Sequence, residues 1–329
     1  MEGRPNLNVQ RHVSGELAVP GPHPEDRLSI GLVLGGGAAR GFAHIGVLRT
    51  LMAHGIRPDV IAGTSIGAVV AGVFAAGALD AFEEWCRQLT RRRVLGYLDF
   101  RFGGSGLISG GRLIRKLEDA LGDLCFADLP MRIAAIAAEI GTGHEIWLTR
   151  GRLSEALAAS YALPGIFPPK LIGGRWLMDG AMVNPLPISA ARALGARLVI
   201  AVNLNADNFG RGTIIQDHGP DIEDERRSPD DLDRTRRGAF RPNRLIHRQF
   251  FGASGRPGLS TVMVEAFQVM QDRITRSRLA GDPPDVMISP RLARINLFDF
   301  HRASETIAIG AEAAEKSIEA ISESIAALS

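Results

Sequence analysis

Cysteine is nearly absent from this chain. Two occur in 329 residues, Cys86 and Cys125, and neither belongs to a C-x-x-C pair. That count and spacing argue against a disulfide framework or a cysteine-held metal, and leave both as small side chains in a reducing compartment. Long hydrophobic runs are missing too. The longest apolar stretch, Ile66–Leu79, falls short of the roughly 20 residues that a bilayer span requires. The first 27 residues are polar and proline-bearing, without the apolar centre of a secretory signal. The expectation is a cytoplasmic protein whose contact with any membrane is peripheral. An excess of charge of one sign is also lacking: the net charge is +2, which excludes nucleic-acid binding by bulk electrostatics.

Apolar content is present in quantity, 45% of residues, enough for one large core. The run "LSIGLVLGGG" is continuous rather than alternating, as expected of a strand buried on both faces. Residues 41–54 then take helical spacing, with Ile45, Leu48, Leu51 and Met52 on one face and Gly55 as the stop. The strand "PDVIAG" and the small-residue helix "IGAVVAGVFAAGAL" repeat the alternation. This order predicts right-handed βαβ units and an α/β fold with a mainly parallel sheet covered on both sides. Residues 80–97 and 111–121 read as helices around the loop "RFGGSGLISGG". "MRIAAIAAEI" and "HEIWLTR" read as a strand pair joined by "GTG". Further on come a helix in "SEALAASYAL", strands in "RWLMDG" and "ARLVIAVNL", and a helix between them from proline to glycine. The stretch from about 205 to 245 is glycine-rich and then densely charged with both signs, and reads as a solvated insert. Helical spacing resumes at Thr261. "PDVMISP" is the last strand, and one amphipathic helix from Phe300 closes the chain.

The five residues "GTSIG" place Ser65 between Gly63 and Gly67, where a strand passes into a helix. That is the arrangement of a nucleophile elbow, because a sharp strained turn needs small neighbours and presents the hydroxyl at a helix N-terminus. Acyl transfer also needs amide donors for an oxyanion. "GGGAARG" at the end of the first strand offers them. It is not a dinucleotide fingerprint, since Arg40 stands where the third glycine belongs, and it lacks the G-K-[ST] of a phosphate loop. The base is open at this point. His301 would close a Ser–acid–His order. His44 lies on the inner face of the first helix and suits packing or support of the glycine loop. Asp179, at the end of "RWLMD" and before Gly180, suits direct proton removal from a serine.

Four segments together, "GGGAARGFAHIGVL", "GTSIG", "ASYALPGIFPP" and "DGAMVNPLP", resemble the patatin-like phospholipase family, especially its bacterial members. The likeness spans most of residues 28–205 and, more weakly, "FQVMQDRITRSRLAGDPPDVMISP". It implies a three-layer α/β/α domain over 28–329 behind a polar tail at 1–27. It implies Ser65 as nucleophile and Asp179 as general base of a dyad. Gly35, Gly36 and Gly37, with Arg40 beside them, become the oxyanion loop, with no metal and no cofactor. Many relatives carry D-G-G; this chain has D-G-A at Asp179–Ala181. The activity implied is hydrolysis of fatty-acyl esters of phospholipids or lysophospholipids. A Ser–Asp–His esterase acting on small esters and a non-catalytic lipid-binding regulator are the competing expectations. Phe167 and the prolines around it are expected in a pocket wall. "RLIHRQFF", which interleaves Arg244 and Arg248 with Phe250 and Phe251, is a candidate for contact with an anionic lipid surface.

Overall fold

The computed structural model describes residues 28–97, 111–207 and 259–329. The polar tail, most of the charged insert, the loop at 101–110 and the segment 244–251 lie outside the described residues. Strand β1 (Ile30–Leu34) leads through a 3₁₀ turn (Ala38–Phe42) into α1 (Ala43–Ala53). The helix stops at Gly55, whose φ of 74° lets the amide of Ile56 reach back to the carbonyl of Leu51. Then come β2 (Val60–Thr64) and α2 (Ile66–Ala75). The predicted helix over 80–97 is two, α3 (Leu79–Arg87) and α4 (Arg91–Tyr97). Thr90 divides them, because its hydroxyl accepts from the amide of Arg93 and so caps a new helix. After α5 (Gly111–Leu121) come β3 (Arg132–Glu139), β4 (Glu145–Leu148) and α6 (Leu153–Ser160).

Strand β5 (Lys170–Ile172) pairs with β6 (Arg175–Asp179) across Gly173 and Gly174, both at positive φ. The sequence reading missed β5, although two adjacent glycines between extended residues are a hairpin signal. The remaining elements are α7 (Ile188–Ala193), β7 (Leu198–Val202), α8 (Leu259–Gly281), β8 (Val286–Ile288), α9 (Ala303–Glu315) and α10 (Ile318–Leu328). The single closing helix expected from Phe300 is thus broken at Lys316–Ser317. The Ser317 hydroxyl donates to the carbonyl of Ala313, four residues back, which favours a bend.

The eight strands form one sheet in the order β5-β6-β3-β2-β1-β7-β8, with β4 also on β3. Pairs among β3, β2, β1, β7 and β8 are parallel; β4, β5 and β6 add antiparallel pairs. On one face Leu32, Leu34 and Ile61 pack beneath α1, α2 and α9. On the other, Val33, Ala62 and Ile136 pack under α7 and Leu279 of α8. Helix–sheet–helix layering results from strands that are apolar on both sides. Helices α1 and α9 touch backbone to backbone. A β-carbon on Gly46 would lie 2.0 Å from the Ile307 carbonyl oxygen, and one on Gly310 would lie 2.0 Å from that of Ala43.

Candidate active site

The register along β3 brings two strand ends together. Thr64, the last residue of β2, stands opposite Ile136, and Asp179, the last of β6, stands opposite Ala137. Strand β4 pairs with Ala135–Ala138 and so occupies the other edge. Strands β2 and β6 therefore share one edge of β3 and run into each other head-on. The residue after Thr64 must meet the side chain of Asp179.

That residue is Ser65, at φ 56° and ψ −126°. This is left-handed backbone, a conformation costing about 1–3 kcal/mol for a residue with a side chain. Two contacts hold it. The Ser65 amide donates to the Ser160 hydroxyl at 3.0 Å, and that hydroxyl donates to the Ile136 carbonyl at 2.6 Å. The turn also needs its glycines. A β-carbon on Gly67 would sit 2.0 Å from the Leu34 carbonyl oxygen, one on Gly63 would sit 2.6 Å from the Ala68 backbone, and one on Gly180 would sit 2.2 Å from the Ile136 carbonyl oxygen.

The Ser65 hydroxyl donates to Asp179 Oδ2 at 2.6 Å. The other carboxylate oxygen accepts from the Ala181 amide at 2.8 Å. Asp179 is 1% exposed. Burial pushes its pKa up from 3.8 to about 7, against the opposing effect of its two hydrogen bonds. The carboxylate is thereby a far stronger base than an exposed aspartate.

Neither histidine considered from sequence bonds to this pair. The His301 ring receives a hydrogen bond from Arg91 Nε at 3.2 Å, on the 3₁₀ turn Phe300–Arg302. His44 is fully buried, its pKa lowered to about 4 by desolvation, so the ring is neutral at physiological pH. Its Nε2 lies 2.8 Å from the Gly35 carbonyl, which fixes Nε2 as the protonated nitrogen and His44 as a brace of the glycine loop.

That loop differs in detail from the sequence expectation. The Gly35 amide donates to Val202 O at 3.2 Å and the Gly36 amide to Pro185 O at 3.0 Å. Both are committed to the scaffold, so two of the three expected oxyanion donors are occupied. Gly36 contributes its missing side chain instead: a β-carbon there would lie 3.6 Å from Ser65 Cβ and 3.3 Å from Ala181 Cβ. Among the described residues, the Gly37 and Ala38 amides have no acceptor, and Ala38 is held at φ 47°. Arg40 is buried and its guanidinium is held by partners outside the glycine loop. It donates to the Ile295 carbonyl at 2.7 Å, to Gln268 at 3.0 Å and to Asn205 at 3.4 Å. Desolvation lowers its pKa while leaving it a cation. Asn205 in turn donates to the Gly36 carbonyl at 3.3 Å. Arg40 thus ties the loop to α8 rather than serving it as a donor. The roles of Ser160, Asn205 and Gln268 were missed from sequence, because single polar residues in helix-like or loop-like context carry no spacing signal.

The patatin-like phospholipase profile matches residues 32–192. An uncharacterized NTE family protein of Mycobacterium tuberculosis is 33% identical to this chain, over 88% of this chain and 91% of that protein. The chain belongs to the patatin-like phospholipase family. Neuropathy target esterase sws of Drosophila melanogaster is 31% identical over 59% of this chain and 14% of its own length. Among solved structures, VipD from Legionella pneumophila aligns with 88% of this chain and 66% of its own, with a TM-score of 0.45 and 12% identity. The family is one of lipid acyl hydrolases. No helix among the described residues is long and apolar enough to cross a membrane. Cys86 and Cys125 are free thiols.

Proposed function

We propose that this patatin-like protein is a serine acyl hydrolase that cleaves fatty-acyl esters of phospholipids or lysophospholipids through a Ser65–Asp179 dyad. The observation that carries this reading is the 2.6 Å hydrogen bond from a strained serine to a carboxylate with pKa near 7. Asp179 takes the proton as Ser65 Oγ forms a bond to the ester carbon, and the carbonyl pair moves onto oxygen. The amides of Gly37, Ala38 and Ile66 receive that oxyanion. This assignment is supported by the lack of an acceptor for the first two among the described residues and by the position of the third at the N-terminus of α2. Collapse expels the alkoxide, which takes the proton back from Asp179, and leaves an acyl-enzyme. Water then gives a proton to Asp179 and attacks the acyl carbon. The fatty acid departs and Ser65 regains its hydrogen.

Every proton in this cycle moves through one buried carboxylate, so neither imidazole nor metal is required. Contact with the lipid surface is peripheral in this reading, with "RLIHRQFF" as the candidate segment. A fluorophosphonate probe and a lipid-hydrolysis panel test the core. Labelling at Ser65, with Ser65→Ala and Asp179→Asn both inactive, is the expected result. An active Asp179→Asn beside a dead His301→Ala would replace the dyad with a triad.

A further inference from the structure

Helix α8 is packed against the usual polarity of an amphipathic helix. Gln268, Gln271, Asp272 and Thr275 are buried, while Val262, Met263 and Val269 are exposed. Spacings of three and four residues put the buried polar side chains on one face. Turning such a face inward costs free energy unless its groups are bonded, so its residues are kept for interactions rather than for packing. Two of them have charged partners. Arg40 donates to Gln268 Oε1 at 3.0 Å, and Arg276 pairs with Asp272 at 2.8 Å. Gln271, 3% exposed, reaches the candidate site instead. Its Oε1 lies 3.6 Å from the place that a β-carbon on Gly36 would take, and Ser65 Cβ lies 3.6 Å from that same place. The opening left by Gly36 is therefore bordered by the nucleophile, by the Ala181 methyl and by the Gln271 amide.

A chain of hydrogen bonds decides which edge of that amide is free. A guanidinium can only donate, so Arg40 holds Oδ1 of Asn205 toward itself, at 3.4 Å. The Asn205 amide nitrogen then donates to the Gly36 carbonyl at 3.3 Å and to Gln271 Oε1 at 3.5 Å. Gln271 Oε1 is thereby occupied, and Nε2–H is the donor left over, with no acceptor among the described residues. Each bond in the chain polarises the next, and the chain starts at a cation. Asp179 must return its proton to the departing alkoxide, so the alcohol half of the ester lies on the Asp179 side of Ser65. Ala181 marks that side: its amide binds Asp179 Oδ1 and its methyl borders the opening at Gly36. We infer that Gln271 Nε2–H donates to a second oxygen on the leaving alcohol, carried by the carbon next to the esterified one, and so selects glycerol-type alcohols over plain alkyl alcohols. Arg40 and Asn205 are positioning residues for that donor. The inference rests on the reading of Ser65 as nucleophile and Asp179 as base.

Three octanoate esters test it: butyl, 2-methoxyethyl and 2-hydroxyethyl. The first has no second oxygen, the next has one that only accepts, and the last has one that accepts and donates. Each oxygenated ester is scored as its kcat/KM divided by that of the butyl ester, so that partial loss of folded protein cancels. Comparing a variant's ratio with that of the unaltered chain cancels intrinsic reactivity too. Gln271→Met removes the donor and should lower both ratios roughly twofold to tenfold. Asn205→Asp puts an acceptor where Asn205 Nδ2 stood. Gln271 then turns Nε2 toward the new carboxylate and Oε1 toward the substrate. The 2-methoxyethyl ratio should fall while the 2-hydroxyethyl ratio holds, because only that alcohol can donate to Oε1. Ratios that Gln271→Met leaves unmoved, with hydrolysis intact, would overturn the inference and leave the dyad standing. If Gln271→Met does not fold, Asn205→Asp decides alone, and the same pair of ratios as in the unaltered chain would overturn it. No hydrolysis of any of the three esters by the unaltered chain would sink the dyad reading and this inference with it.

Discussion

Replacing Asp179 by asparagine should make the protein more stable while abolishing its activity, and the size of the gain should depend on pH. The side chain is 1% exposed and its pKa rises from 3.8 to about 7 on folding. The folded state therefore binds this proton more tightly than the unfolded state. The stabilisation due to the bound proton is complete below about pH 4 and is lost as pH rises through 7. Over the whole range the difference is about three pKa units, or on the order of 4 kcal/mol. Roughly 3 kcal/mol of that falls between pH 5 and pH 8. Asparagine keeps the shape, can still accept from the Ala181 amide and can donate to Ser65, but never ionises. Wild type should thus lose stability relative to Asp179→Asn as pH rises. For a chain of 329 residues the gap in Tm should widen by roughly 4 °C. Thermal melts of both proteins at pH 5 and pH 8, read by circular dichroism, measure it. A gap that stays constant with pH, or that favours wild type at pH 8, would refute the claim that this carboxylate is strained by burial. The form that catalyses is then also the form that the fold disfavours, a conflict expected where function rather than packing sets a residue.

The same geometry leads to other outcomes. The kcat/KM for a soluble ester should climb with pH, with unit slope, through an apparent pKa near 7, because the ionised carboxylate is the base; a flat profile between pH 6 and pH 8 would count against it. Ser160→Ala leaves the Ser65 amide without a partner, which costs about 1–3 kcal/mol and should lower kcat roughly tenfold to a hundredfold with little change in KM. Ser160→Thr should restore most of it, and a loss confined to KM would argue that Ser160 touches substrate instead. Gly67→Ala should fail to fold, as read by soluble yield and melting, because its β-carbon meets the Leu34 carbonyl at 2.0 Å. Co-sedimentation with anionic liposomes should weaken in a Phe250→Ala/Phe251→Ala variant; equal binding would remove that segment from the lipid contact.

Much of the fold was legible because its signals are local. The strands β1, β2 and β7 carry no polar side chain except that of Thr64, which fits a parallel interior, and they are buried throughout or nearly so. Gly55 stops α1 where the sequence places the stop, whereas α2 ends at Ala75, with Gly77 at positive φ inside the run read as one helix to Leu79. What failed was also local, but weaker. A threonine cap split α3 from α4, a serine back-bond split α9 from α10, and a three-residue strand escaped notice. Each turns on one hydroxyl or one turn, too small to shift a periodicity.

The candidate site shows a different limit. Ser65 and Asp179 were each visible as strand-end corners with glycine close behind, and neither corner contains any information about the other. Their meeting depends on β3, which carries β2 and β6 on the same edge in opposite directions, so that Thr64 and Asp179 pair with consecutive residues. That register depends in turn on the hairpin β5–β6 folding back and on β4 occupying the far edge. The oxyanion loop obeys the same rule. The sequence offers three glycine amides, and only long-range partners, Val202 on β7 and Pro185 before α7, decide which are committed. A loop's donors are known only when its neighbours are. The glycines at 35 and 36 are then best understood as the backbone that must pass close to the serine, and the amides just after them as the ones left to bind charge.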